Sequence, residues 1–115
     1  DGRTEEFNNI KLFFDKLDDV DAKNLRQLVD ECKKDIKSGI VCLIATYEGK
    51  SSIAIGVTND LLNNYDAVNL VKTSSEILGG KGGGGRKDMA LAGAKDVSKS
   101  EDVFEQLLKE IKKDS

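Results

Sequence analysis

The stretch IKLFF places Ile10, Leu12 and Phe14 at every second position, the period of a strand with one buried face. The period then lengthens. Leu25, Leu28, Val29, Cys32 and Ile36 recur at spacings of three and four, which aligns them along one side of an amphipathic helix. Asp21 suits the N-cap of that helix, Val20 and Leu25 have the spacing of a hydrophobic staple, and Gly39 is the expected stop. IVCLIATY, residues 40–47, is apolar almost throughout and predicts a strand covered on both faces. EGK makes a short turn, and SSIAIGVTND returns as a second strand. Its Ile53, Ile55 and Val57 lie on one face, while Ala54 and Gly56 leave the other face small.

The second half continues with helix, strand and helix. Asp66 suits the N-cap of AVNLVKTSSEILGG, whose buried stripe is Ala67, Leu70, Val71, Ser74 and Leu78 and whose end is Gly79. MALAGA is short and apolar, a further strand. SKSE, residues 98–101, has capping-box spacing before a closing helix through Val103, Leu107, Leu108 and Ile111. The predicted order is β-α-β-β-α-β-α. It describes a single α/β domain over residues 1–115, with a mixed sheet of about four strands and three helices. Residues 1–9 are expected as a frayed remnant of an upstream segment.

Composition narrows the function. The chain has no histidine, which excludes a Ser-His-Asp triad, a Cys-His pair and a histidine-ligated zinc within it. No pair of carboxylates stands out from the acids scattered over the helices, so no catalytic residue and no metal ligand is assigned. Cys32 and Cys42 form no C-x-x-C and fall at core positions, where free cysteine acts as a small hydrophobe; a cytosolic home follows. No apolar run approaches the ~20 residues of a membrane span, and the chain reads as soluble. It opens DGRTEEF with Met89 as its only methionine, and so reads as a piece of something longer.

A net charge of −3 argues against wholesale wrapping of nucleic acid, but one segment runs the other way. Over residues 79–95, Lys81, Arg86, Lys87 and Lys95 face only Asp88. Within it, residues 79–88 form a glycine-rich basic loop. Gly80, Gly82 and Gly85 satisfy G-x-G-x-x-G, yet the loop follows a helix and leads into a strand, the reverse of a dinucleotide-binding turn. Gly85-Arg86-Lys87-Asp88 does not fit a Walker A motif either. A flexible tether would mix in serine, and this loop has none. Exposed amides with three cations suit close approach to a sugar-phosphate backbone. Lys81 and Arg86 are the foremost candidates for phosphate contact, with Lys87 behind them. Gly82, Gly83, Gly84 and Gly85 are expected to supply bare backbone and positive φ, and Gly80 joins them as a contact candidate. Asp88 is expected to accept bonds from the loop's own amides, and Met89 and Leu91 to join the core. Tyr47 and Tyr65 are weaker candidates for stacking on a base.

GGKGGGGRKDMALAGA closely resembles the G-G-[KR]-G-G-G-[RK]-x-D-M-A-x-A-G motif near the carboxyl end of alanyl-tRNA synthetases. VDAKNLRQLVDECKKDI, the strand pair with IGVTNDL, and LVKTSSEILGG occur there in the same order, so the resemblance runs from about Ile10 onward. It identifies the C-terminal globular domain of that family, of the DHH-associated type. It implies a cytoplasmic parent that uses ATP, magnesium and zinc to charge alanine-specific tRNA and to edit misacylated tRNA, with both catalytic sites in earlier domains. The C-terminal domain would then be a non-catalytic module that touches the outer corner of the tRNA and couples aminoacylation with editing. Its partners would be that tRNA, the other domains of the synthetase and, in the parent, a second copy. An oligonucleotide-binding domain of a DHH-family phosphodiesterase, the C-terminal domain of a stand-alone editing protein, and an interaction module without RNA are the alternatives. Arg86 stands where the phosphodiesterases carry histidine, and four glycines precede it where three are usual. Lys87 replaces a common proline.

Overall fold

In the computed structural model, which describes residues 2–113, Asn8 and Asn9 take positive φ of 54° and 66° and turn the chain back on itself. Asparagine tolerates that backbone, and a two-residue turn of this hand suits the twist of a hairpin. It joins strand β1 (Arg3–Phe7) to strand β2 (Ile10–Asp18), paired antiparallel from Arg3↔Phe14 to Phe7↔Ile10. Residues 3–7 are therefore strand and not frayed chain. The segment RTEEF has too little apolar pattern to announce itself, and tertiary contacts to Arg3, described below, hold it.

The remaining elements are α1 (Leu25–Ile36), β3 (Gly39–Tyr47), β4 (Lys50–Val57), α2 (Ala67–Ile77), β5 (Gly84–Arg86), β6 (Met89–Ala94) and α3 (Ser100–Lys113). The sheet order is β1-β2-β3-β4-β6-β5; β2 and β3 run parallel and the other neighbours antiparallel. The expected mixed α/β architecture with three helices is present, and the sheet has six strands where about four were expected. Besides β1, the addition is β5, cut from the glycine loop itself.

Three layers result. Leu12, Phe14, Ile40, Cys42, Ile44, Ile53, Ile55 and Val57 face α2 and α3, against Leu70, Val71, Val103, Phe104, Leu107 and Ile111. Val41, Leu43, Ala45, Ala54 and Met89 face the other way, against Leu25, Val29 and Ile36 of α1. Alternation along β4 makes that second layer possible, because a Cβ at Gly56 would lie 2.4 Å from Val29 Cγ1. Burial pushes the Cys42 thiol far up, and burial followed by Asp35, Asp15 and Glu31 raises that of Cys32. Neither is a reactive thiolate at neutral pH.

Three helix ends differ from expectation. Asp21 caps a 3-10 turn (Ala22–Asn24) ahead of α1, accepting from Lys23 N at 3.2 Å. Lys37, with φ of 70°, ends that helix, while Gly39 belongs to β3. There a Cβ would meet the Lys11 carbonyl oxygen at 2.1 Å, so the parallel pairing with β2 demands glycine. Before α3, Asp96 caps a 3-10 turn (Val97–Lys99) by accepting from Ser98, displacing the expected Ser98 cap. Asp66 caps α2 as expected, accepting from Val68 N at 2.8 Å.

Candidate nucleic-acid interface

The glycine segment divides into three parts with different physical causes. Gly79, at φ 76°, donates to the Glu76 carbonyl and Gly80 donates to that of Ser75, closing α2 with a Schellman motif. Gly80 then packs so tightly that a Cβ would lie 2.4 Å from the Gly93 oxygen and 2.6 Å from Ser75 Oγ. Lys81 and Gly82 follow as exposed loop, Gly82 at φ 74°. Gly83, at φ 119°, sits against Ala92 and Val71. From Gly84 the chain is strand, paired Gly84↔Leu91, Gly85↔Ala90 and Arg86↔Met89. Gly85 has φ 145°, and a Cβ there would meet the Met89 oxygen at 2.4 Å.

Lys87 and Asp88 form a two-residue turn into β6, and three neighbours fasten it. Ala67 N donates to the Lys87 carbonyl at 2.8 Å, and Val57 N donates to that of Asp88 at 2.9 Å. Lys33 Nζ reaches the same Asp88 oxygen at 3.3 Å from α1. The Asp88 carboxylate accepts from Arg86 Nε at 3.2 Å and lies 3.9 Å from Lys33 Nζ. Among the described residues its carboxylate thus meets two cationic side chains and not the loop amides that the sequence suggested. Met89, at 2% exposure, belongs to the α1-side core. Lys33 has no local signal for this role; only the packing of α1 brings it to the turn.

Lys81, Arg86 and Lys87 are all exposed, the Arg86 side chain at 75%. They are not clustered at one point. Gly80 lies against Gly93 and Arg86 pairs with Met89, so four residues of β6 separate the two ends. At ~3.3 Å per residue that is roughly 13 Å. Cations stand at both ends of a bare, glycine-only edge. Tyr65 is buried at 5% exposure, which removes it as a stacking surface, whereas Tyr47 is half-buried.

Fold and edge together define a three-layer α/β domain that presents backbone and positive charge along one side of its sheet. The DHHA1 domain family matches residues 9–114, and the chain belongs to that family. It is 51% identical over 98 residues to an alanine–tRNA ligase of Parvibaculum lavamentivorans, covering 84% of this chain and 11% of that protein. To an alanine–tRNA ligase of Rhodopseudomonas palustris it is 47% identical over 103 residues, covering 89% of this chain and 12% of that protein. The chain thus spans about a tenth of the length of these relatives. Among solved structures, the C-Ala domain from Aquifex aeolicus alanyl-tRNA synthetase superposes with a TM-score of 0.85 at 25% identity, covering 94% of this chain and 96% of that one.

Proposed function

We propose that the chain is the non-catalytic C-terminal tRNA-binding module of an alanine–tRNA ligase. It would contact the outer corner of alanine-specific tRNA through Gly80, Lys81, Gly82, Gly83, Gly84, Gly85, Arg86 and Lys87, with Asp88 and Met89 supporting the loop. The observation that carries this reading is the exposure of Lys81, Arg86 and Lys87 along an edge whose intervening residues have no side chains. Phosphates can reach the amides there without steric hindrance. The ligase relatives and the C-Ala neighbour support the same parent. In that parent the module would hold one bound tRNA within reach of both charging and editing sites, as part of a cytoplasmic enzyme that forms a homodimer through other segments. In this reading ATP, magnesium and zinc chemistry belongs to the rest of that parent; among the described residues no three Cys, Asp or Glu side chains gather to hold a metal. Among the same residues, no helix is long and apolar enough to cross a membrane.

About three phosphate contacts imply a slope of log affinity against log salt of roughly −2 to −3, with binding on the order of 10⁻⁴ to 10⁻⁶ M. Tethering to a catalytic part would make such affinity useful, since a linker supplies a millimolar effective concentration. Replacing Lys81 and Arg86 together by glutamate should abolish tRNA binding without changing the melting temperature, because both side chains are exposed. Equal affinity of that double variant and the unmodified chain at the same salt would remove the loop as the site.

A further inference from the structure

Several glycines of this domain have evident backbone reasons; two in the sheet do not. Gly39, Gly56 and Gly85 lack room for a Cβ, and Gly85 also takes positive φ. Gly84 and Gly93 have no positive φ, and a Cβ built on either meets nothing within 4 Å. Glycine weakens a strand, so its presence inside one without conformational or packing need marks a place that something else approaches closely.

The register shows that place. On the face that α1 covers, the rows across the sheet read Val41–Gly56–Met89, Leu43–Ala54–Leu91 and Ala45–Ser52–Gly93. Val29 and Lys33 of α1 lie over the first row at Gly56. The third row has only small side chains, and there the surface sinks into a groove of about 340 Å³. Tyr47, Lys50, Leu91, Gly93, Asp21 and Ala22 line it. Tyr47 pairs with Lys50 one row further along the same face and ends the groove. On the other side Leu91 pairs with Gly84, which leaves the way open to the glycine edge.

Charge gathers at the same end. Beyond the last β4–β6 pair, Ser51↔Ala94, the chains continue to Lys50 and Lys95. A Cβ at Gly79 would lie 3.7 Å from that of Lys95, so Lys81, two residues on, leaves the fold nearby. The neighbouring acids are Asp21, Asp96 and Glu48. Asp21 accepts from Lys23 N and Asp96 from Ser98, each turned to capping, while Glu48 stands exposed in the β3–β4 turn.

We infer that this groove receives one base of a bound RNA, stacked on Tyr47 over the floor of Ser52 and Gly93, with an adjacent phosphate held by Lys50 and Lys81. The inference rests on the RNA-binding reading above and adds to it a base-reading surface on the sheet. A flat floor without protruding side chains and one half-buried aromatic suit any base, since every base has a π-face. Gly84 and Gly93 are bare because a side chain at either would occupy the path of the nucleotide.

Two variants and one titration test it. Gly93→Val projects into open space in the free domain and fills the floor, so the fold survives; Tyr47→Ala removes the stacking partner. Each should weaken binding of an alanine tRNA transcript about tenfold or more while leaving the salt slope unchanged. In amide NMR spectra, adenosine monophosphate should move Ser52, Gly84 and Gly93, and ribose 5-phosphate, which has no base, should not. Wild-type affinity in both variants, with binding lost in the Lys81→Glu/Arg86→Glu protein, would overturn the groove and leave the loop reading standing. Loss in both variants with the double charge variant unaffected would keep the base groove and overturn both the loop and the phosphate contact at Lys81. Identical shifts from the two small molecules would overturn the assignment of a base.

Discussion

Strand β1 closes one edge of the sheet and strand β5 the other, and each brings an arginine with it. The guanidinium of Arg3 lies 3.7 Å from the Phe104 ring centroid and 5.6 Å from that of Phe14, and it pairs with Glu101. The two rings meet edge to face at 5.4 Å, and Lys112 Nζ stands 5.8 Å from the Phe7 ring on the same side. At β5 the partners are glycine backbone and one carboxylate, and Arg86 stays 75% exposed. One arginine is held against aromatic rings with its side chain 44% exposed, and the other is presented. The difference lies in the neighbours: aromatic surface draws a cation onto itself, whereas an edge without side chains leaves it in water.

Removing the aromatic platform is the strongest way to break this contrast. Phe104 is 6% exposed, and Phe104→Ala should cost about 3–5 kcal/mol by loss of core volume. Urea unfolding would show it as a lower midpoint at similar slope; a cost below about 1 kcal/mol would mean that the rings do not seat β1. Smaller is the effect expected within β5 itself. Gly85→Val meets both positive φ and the Met89 oxygen, and should destabilise by about 1–3 kcal/mol, while Gly84→Val should stay within about 0.5 kcal/mol. Equal effects at the two positions would show that the strand does not hold the backbone described.

The smallest effect compares the arginines directly. Arg3→Met should cost about 1 kcal/mol, since its ion pair is half-exposed and only the ring contact contributes appreciably. It should leave RNA affinity alone. Arg86→Met should leave stability within about 0.5 kcal/mol and make the salt slope shallower by about 0.7–0.9. Reversed outcomes, with Arg3 governing RNA and Arg86 governing stability, would exchange the roles of the two edges.

Much of the fold was legible because its signals are periodic. The α1 and α2 stripes, the alternation of Ile53, Ile55 and Val57 against Ala54 and Gly56, and the Asp66 cap all follow from local spacing. What escaped has little local signal. RTEEF has almost no apolar pattern, and Gly84-Gly85-Arg86 has no strand propensity at all. Both became strands because neighbours supplied the pairing, and Phe104 was overlooked as the ring that holds Arg3. In the candidate site, the exposed lysines and arginine were readable as charge on glycine. Lys33 was not, since its distance of 55 residues from Asp88 leaves no trace in spacing.

By itself, then, the sequence determined which segments are helix and which are buried strand, because apolar period and capping residues act over a few bonds. It also set out a cationic, glycine-rich segment and the motif that relates it to a family. Only the tertiary structure decided that Gly80, Gly83 and Gly85 are glycine for contact or conformation while Gly84 and Gly93 are not. It alone made an edge strand of the loop, fastened Asp88 to α1, and left the Tyr47 end of the sheet uncovered. These outcomes depend on what lies across the sheet, and a side chain's distant neighbours are fixed by register and packing, not by its place in the chain.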